Sequence, residues 1–261
     1  MHILVTNDDG IEAPGLLALA QAVAPLGKVS VVAPDRNWSM CGHVKTIHRR
    51  LPITEAHLAD GTPALATGGA PSDCVAMAVM GMLPEPVDLV VSGVNPYANI
   101  GHDLTYSGTV TAAMEAVIWG IPGLAFSLDG EIIDQLDYSA ATLVAREVVE
   151  RFLQYGIPAE TLLNVNIPNL PYKEIKGVQV TRQGKRIYRD VLVHHPEENG
   201  QRHFSIGGEP PVGVPEEGTD SGALAHGYVS ITPVQLDLTA YQAMDKLREW
   251  DWSAKTETSA E

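Results

Sequence analysis

The chain has 261 residues, 45% of them hydrophobic and 19% charged, with 24 Gly and 18 Pro. It is long and apolar enough to bury a core without disulfide or metal staples, which excludes a disordered chain, and at about 150 residues per domain it makes one large domain or two small ones. Its 17 basic and 32 acidic residues leave a net charge of −15, a field that repels nucleic-acid backbones and anionic membranes, so a long nucleic acid is excluded as a partner and a small anion needs a local attractor.

Residues 2–6 form a short apolar run that ends in Asn7-Asp8-Asp9-Gly10, the pattern of a buried strand entering a turn. A helix follows, with Pro14 in its first turn and Leu16, Leu19, Ala20 and Val23 on one face. Residues 29–33 read as a second strand and 64–67 as a third, and Cys74, Met77, Ala78, Gly81 and Met82 mark the buried face of a second helix. Residues 87–91 are a continuous apolar strand of the kind found in parallel sheets. A polar loop over 92–106 leads to a helix on which Val110, Ala113, Met114, Val117 and Ile118 share a face. A strand at 123–128, a long helix at 138–152 and a strand at 163–167 complete the alternation. Such alternation predicts a Rossmann-like α/β core, a parallel sheet with helices on both faces, over 1–170.

Beyond residue 170 the texture changes. Strands at 177–181, 186–194 and 203–206, linked by Gly- and Pro-rich turns, predict a strand-rich hairpin extension. No comparable helix is expected before 242–250, and 228–232 is read as a strand returning to the main sheet. Residues 171–250 are expected to complete the same domain and to supply an oligomer interface, with 251–261 a flexible acidic tail. No apolar run approaches the roughly 18 residues of a membrane span, and the first ten residues lack the basic region and apolar core of an export signal. Two cysteines, Cys41 and Cys74, cannot build a disulfide framework and point to a reducing cytoplasm.

Several loops carry chemistry. Asp8 and Asp9 follow the first strand, where open α/β sheets bind ligands, and two carboxylates converging at a turn suit Mg²⁺ or Mn²⁺. The plain alternative is good turn chemistry. The loop over 34–42 lies on the same edge and offers neutral oxygens and Arg36. The loop over 92–101 is on that edge again, and its Asn95 and Asn99 can supply amide oxygens to a metal or amide protons to a phosphate. Ser107, Gly108 and Thr109 open a helix and can wrap an anion, although Ser107 also makes a simple N-cap. Gly68-Gly69-Ala70-Pro71 lacks both the GxGxxG pattern and a Walker lysine, and His194-His195 beside Glu197-Glu198 reads as a solvated hairpin tip.

The sequence resembles the SurE (survival protein E) family of metal-dependent nucleotidases over nearly its whole length. The resemblance is carried by ILVTNDDG at 3–10, VVAPDRNWS at 31–39, VSGVN at 91–95, YSGTVTAAMEA at 106–116, SLDG at 127–130, LNVNIP at 163–168, KGVQVTRQG at 176–184, GTDSGALAHGYVSITP at 218–233 and LDLTA at 236–240. It implies hydrolysis of nucleoside 5′- and 3′-monophosphates and one divalent cation per subunit, Mn²⁺ or Mg²⁺. It places the metal ligands on Asp8, Asp9, Ser39 and Asn95, with Asp8 and Asp9 catalytic, and the phosphate contacts on Asn99, Ser107, Gly108 and Thr109. It implies a homodimer or homotetramer that exchanges C-terminal segments. The chain departs from the family pattern at Met40, where Gly is usual, at Pro96-Tyr97-Ala98, where x-Gly-Pro is usual, and at Ala70, where Thr is usual. None of these removes a ligand, but Met40 and Tyr97 bear on loop shape and substrate range.

Two rival readings lack catalysis, a phosphoryl-receiver module and a nucleotide-binding regulator. Ser92 and Gly93 stand where a receiver would need its acceptor aspartate.

Overall fold

His2–Thr6, five residues with every side chain buried, is strand β1, and the rest of the sheet is laid down around it. The computed structural model describes residues 1–130 and 136–252. In chain order the other strands are β2 (Lys28–Pro34), β3 (Ile53–His57), β4 (Pro63–Thr67), β5 (Leu89–Asn95), β6 (Gly123–Asp129), β7 (Thr161–Pro168), β8 (Val178–Val180), β9 (Lys185–Glu198), β10 (Gln201–Val214) and β11 (Val229–Gln235). The helices are α1 (Pro14–Val23), α2 (Pro71–Met77), α3 (Gly108–Ile118), α4 (Tyr138–Tyr155), α5 (Asp220–Ala225) and α6 (Tyr241–Arg248).

Nine strands form one sheet in the order β3-β4-β2-β1-β5-β6-β7-β11-β8. The chain steps outward from β1 through β2 to β4, then returns to β5 on the other side of β1, with Val5 in register with Val31 and Val91. Strand order therefore reverses between β1 and β5. The loops leaving their carboxyl ends diverge there and leave a crevice.

Helices cover both faces. On one side Leu16, Leu19 and Val23 of α1 and Val144 and Val148 of α4 pack on Ile3, Val5, Leu124 and Phe126. On the other, Cys74 and Val75 of α2 and Ala112 and Ala116 of α3 meet Leu4, Val32 and Val90. Each large side chain fully withdrawn from water in this way contributes about 1.5–3 kcal/mol. Small residues let α3 lie close to the sheet: a Cβ on Gly123 would stand 2.3 Å from the Ala113 carbonyl oxygen.

The sheet differs from the all-parallel expectation at two places. β3 pairs antiparallel with β4, and β11 pairs antiparallel with β7. β3 was not foreseen because it is an edge strand with mostly exposed side chains and no apolar alternation. The hairpin of β9 and β10 is longer than expected, 14 residues on each strand, because backbone pairing rather than apolar pattern carries it into solvent. Helix α5, only six residues long, falls below the length at which periodicity speaks. The return of 228–232 to the main sheet is observed as β11, and β8 pairs with it in parallel. Helix α6 starts one residue before the expected 242 and has no buried residue. Of the expected flexible tail, residues 253–261 lie outside the described residues. Among the described residues no helix is long and apolar enough to cross a membrane.

One buried side chain ties the second half of the chain to the crevice. Asp220 at the start of α5 is fully buried. Its Oδ2 accepts the Gly101 N–H at 2.9 Å, and its Oδ1 accepts those of Gly184 at 2.9 Å and Ser221 at 2.7 Å. The loop after β5 and the entry to the hairpin are thus pinned by one carboxylate. Asp220→Asn turns an amide group toward donors and leaves at least one N–H unmatched. The expected loss, read by urea unfolding, is about 2 kcal/mol of stability, and an unchanged midpoint would contradict the clamp.

Candidate metal and phosphate site

The turn after β1 is closed by its own first residue. Asn7 Oδ1 accepts the Gly10 N–H at 3.2 Å and Asn7 Nδ2 donates to the Gly10 carbonyl at 3.0 Å. The loop after β2 is drawn in beside it, through Ile11 N–H to the Pro34 carbonyl at 2.9 Å and Trp38 N–H to the Asp8 carbonyl at 2.7 Å. Asp8 is buried at 3% exposure, while Asp9 is only partly covered.

The N-terminus of α3 faces Asp8. Thr109 Oγ1 donates to Asp8 Oδ1, and the Gly108 and Thr109 backbone amides help hold that carboxylate charged. A Cβ on Gly108 would lie 2.7 Å from Asp8 Cβ and 3.1 Å from Cys41 Sγ, so a residue without a side chain is what permits the approach. Ser107 caps the helix, its Oγ accepting the Val110 N–H at 3.1 Å. The simple capping role foreseen for Ser107 is therefore present. It also orients the positive end of the helix dipole toward the crevice.

Both carboxyls are pushed above the ordinary range. Burial raises Asp8, with the Thr109 hydroxyl and neighbouring amides working against it. Burial, then the charge on Asp8, raises Asp9 to about 7. Tyr138 beside them is pushed up to about 12 by burial and by the charge on Asp9. Among the described residues neither aspartate pairs with a Lys, Arg or His side chain. Two desolvated carboxylates lacking a counter-ion are costly alone and fit a bound cation. Among the described residues no group of three or more His, Cys, Asp or Glu side chains could hold a metal. Further ligands must then be neutral oxygens, a donor set suited to a hard divalent ion.

Two neutral candidates stand on the same edge. Ser39 is exposed in the loop after β2, and its N–H donates to Asn37 Oδ1 at 2.6 Å. Met40 next to it has φ +62°, a left-handed conformation that glycine adopts freely, and its side chain is exposed. Asn95 is the last residue of β5, and its Nδ2 donates to the Tyr97 carbonyl at 2.6 Å, which leaves Oδ1 as an acceptor.

Asn99, expected as a phosphate contact, is held by hydrogen bonds within the protein. Its backbone N–H donates to Asn166 Oδ1 at 2.7 Å, its carbonyl accepts from Asn164 and Asn166, and its Nδ2 donates to Ser127 Oγ at 2.8 Å. The side-chain amide is built into the wall of the crevice. Ser127, which accepts that amide, and Asn164 and Asn166, which hold the Asn99 backbone, lie within the SLDG and LNVNIP motifs but were given no site role from the sequence. Their signal was polar residues at alternate positions in otherwise buried strands, as in LLNVNIP of β7.

Comparison with known proteins bears on the whole chain. A family model described as Survival protein SurE matches residues 3–190. The 5′-nucleotidase SurE of Chloroflexus aggregans is 48% identical over 252 residues, which cover 97% of this chain and 100% of that protein. The 5′-nucleotidase SurE of Herpetosiphon aurantiacus is 44% identical over 253 residues, 97% of this chain and 99% of that one. The crystal structure of the SurE protein from Aquifex aeolicus superposes with a TM-score of 0.79 at 41% identity, covering 95% of this chain and 98% of that chain.

The raised carboxyls carry a sign. From the unfolded value of about 4 up to about 7, folded cation-free protein holds more protons than unfolded chain. Stability without cation therefore falls as pH rises through that window, and cation binding displaces the Asp9 proton. Calorimetric Mn²⁺ titrations near pH 6, in two buffers of different ionisation enthalpy, are expected to show a proton release that fades above about pH 8. Uptake of Mn²⁺ at the lower pH with no proton release would count against Asp9 as a ligand.

Proposed function

The chain belongs to the Survival protein SurE family, and we propose from that premise that it is a metal-dependent 5′-nucleotidase. Its substrates are nucleoside 5′- and 3′-monophosphates, which it hydrolyses to nucleoside and phosphate. The observation that carries the reading is the adjacent pair of buried Asp8 and half-buried Asp9, which lack a cationic partner among the described residues and stand at the reversal of strand order, with Asp8 against the N-terminus of α3.

Phosphoryl transfer asks mainly for charge neutralisation and alignment. Asp8, Asp9, Ser39 and Asn95 would hold one divalent cation per subunit, Mn²⁺ or Mg²⁺, which would supply a positive centre for a phosphoryl oxygen. Two carboxylates with two neutral oxygens would balance the formal charge of such a cation without exceeding it, so an approaching phosphoryl oxygen would meet a positive centre and no surplus negative charge. Asp8 is fixed in place by Thr109 and serves as the rigid ligand. Asp9, the less buried of the two, is the carboxylate that takes a proton from the attacking water. Ser107, Gly108 and Thr109 hold the remaining phosphoryl oxygens through the helix N-terminus, and Asn99 sets the wall behind them. Ser92 is fully buried, which argues against a receiver-type phosphoacceptor there.

The protein works as a homodimer or homotetramer. Helix α6 buries no residue of its own, and Tyr241, Trp250 and Trp252 around it are exposed, as are Leu192, Phe204 and Ile206 on the hairpin. Apolar surface of this kind seeks a partner, and a second copy is the one proposed. The free thiols Cys41 and Cys74 suit a reducing compartment, the cytoplasm.

Phosphate release from AMP is expected and is abolished by EDTA. Asp8→Asn and Asp9→Asn each keep side-chain size and remove one charge, and each is expected to lower turnover by at least about 100-fold with an unchanged circular dichroism spectrum. Full turnover in either variant at ordinary Mn²⁺ would remove that aspartate from the site.

Removal of the chain after Ala240 is expected to give a smaller assembly by light scattering. An oligomer of unchanged mass would dismiss α6 as an interface.

A further inference from the structure

Glu115 lies two turns along α3 from the helix start and is only 1% exposed. Among the described residues it is a buried carboxylate with three side-chain donors. His43 Nε2–H donates to its Oε2 at 2.9 Å, and Lys45 Nζ and Trp119 Nε1 both donate to its Oε1 at 2.8 Å. Burial opposes the charge, but these donors outweigh it and hold the carboxyl down at about 2. Two of the three come from a distant stretch of chain, the strap over 38–46 that follows β2 and carries Ser39.

That strap has neither helix nor strand and is fastened only at intervals. Trp38 N–H donates to the Asp8 carbonyl at 2.7 Å, and Gly42 N–H to the Tyr106 carbonyl at 2.9 Å. Thr111 Oγ1 of α3 donates to the Gly42 carbonyl at 3.1 Å. At the far end Thr46 gives its N–H and hydroxyl to the two carboxylate oxygens of Asp73, at 2.8 and 2.7 Å. Between the first two fastenings lie Ser39, left-handed Met40 and Cys41, whose Sγ rests against Gly108. A non-glycine residue at φ +62° is unfavourable unless its surroundings impose it. Met40 is bracketed by the Trp38 and Gly42 fastenings, and Glu115 takes two of the contacts that anchor the strap beyond Gly42.

We propose that Glu115 is a positioning residue for the reaction: through His43 and Lys45 it holds the strap across the start of α3, so that Ser39 is presented to the cation held by Asp8 and Asp9. The inference rests on the metal-site reading above. One helix then performs two tasks, lining the phosphate pocket with its first turn and fixing the height of the neighbouring ligand loop with its third. The Lys28–Glu85 ion pair, by contrast, joins two side chains that are both about half exposed and has no such consequence.

The test is Glu115→Gln in the full chain, which keeps the shape and removes the charge, with Lys45→Met as a second variant acting from the strap side. Cys41 reports on the strap and fully buried Cys74 on the fold. Iodoacetamide labelling of Cys41 is expected to quicken several-fold while Cys74 stays protected. The calorimetric dissociation constant for Mn²⁺ is expected to rise by about 10-fold, as when the residues that orient a metal ligand are lost. At saturating Mn²⁺ kcat should return to within about threefold of wild type, because the groups that touch the phosphate are intact. Equal labelling of both cysteines would mean general loosening and would overturn the proposal, as would unchanged Cys41 labelling with unchanged Mn²⁺ affinity. A wild-type protein that takes up no Mn²⁺ would overturn the metal-site reading and this inference together. A wild type that binds Mn²⁺ no better than Glu115→Gln would overturn this inference alone.

Discussion

Everything at the crevice depends on Asp8 being buried against the first turn of α3. The carboxylate is withdrawn from water, Thr109 and the adjacent amides compensate it only in part, and Gly108 provides the room. A buried carboxylate so placed carries charge that the protein does not itself neutralise. That deficit turns a good turn sequence into a cation site. It also reconciles an anionic substrate with a chain of net charge −15, because the attractor is local, and local charge outweighs the distant field at short range.

The loops that complete the site have little regular structure, and buried polar groups hold them instead. Asp220 pins the segment after β5, Asn164 and Asn166 grip Asn99, and Glu115 and Asp73 fasten the strap beyond Ser39. The acceptor oxygens of Asp220, Asp73, Glu115 and Asn166 are matched by backbone N–H groups or side-chain donors, whereas Asn164 contributes its amide N–H and its buried Oδ1 has no hydrogen-bond partner among the described residues. Such matching is the condition under which buried polarity stabilises rather than weakens a structure. Rigid strands and helices set the frame, and this polar layer sets the positions of loop residues that must meet a metal and a phosphate.

Two departures from the family pattern become intelligible in this setting. Met40 keeps the left-handed backbone that glycine would adopt and turns its side chain to solvent, so the local path of the strap is retained at a conformational cost of about 1 kcal/mol or more. Tyr97 is also exposed and accepts the Asn95 amide through its backbone carbonyl. Both side chains stand on loops beside the crevice without occupying a ligand position, and both leave Asp8, Asp9 and the α3 N-terminus as they are.

The core of the sheet could be read from the chain because β1, β5 and β6 are buried along nearly their whole length and read as mostly apolar runs between turns, and β2 and β7 carry shorter apolar stretches interrupted by polar positions. Asp8, Asp9 and Asn95 could be shortlisted because parallel topology sends the loop after every parallel strand to one edge, whereas Ser39 was named as a ligand only through the family resemblance. β3, α5 and the full hairpin were not legible, since edge strands, very short helices and solvent-exposed ribbons bury too little to impose a period. The antiparallel return of β11 is likewise a matter of pairing rather than pattern. Glu115, Asp220 and the Asn164–Asn166 pair each meet partners far away in the sequence, and their roles arise only when folding brings those donors within hydrogen-bonding distance. By itself the sequence determined the strand–helix alternation and the carboxylates at the carboxyl end of β1, while the strand order, and with it the reversal that makes the crevice, was decided by pairing in the sheet. Which polar groups lock the loops there was decided by tertiary contacts, because a hydrogen bond is specified by the meeting of two groups and neither one alone predicts the other.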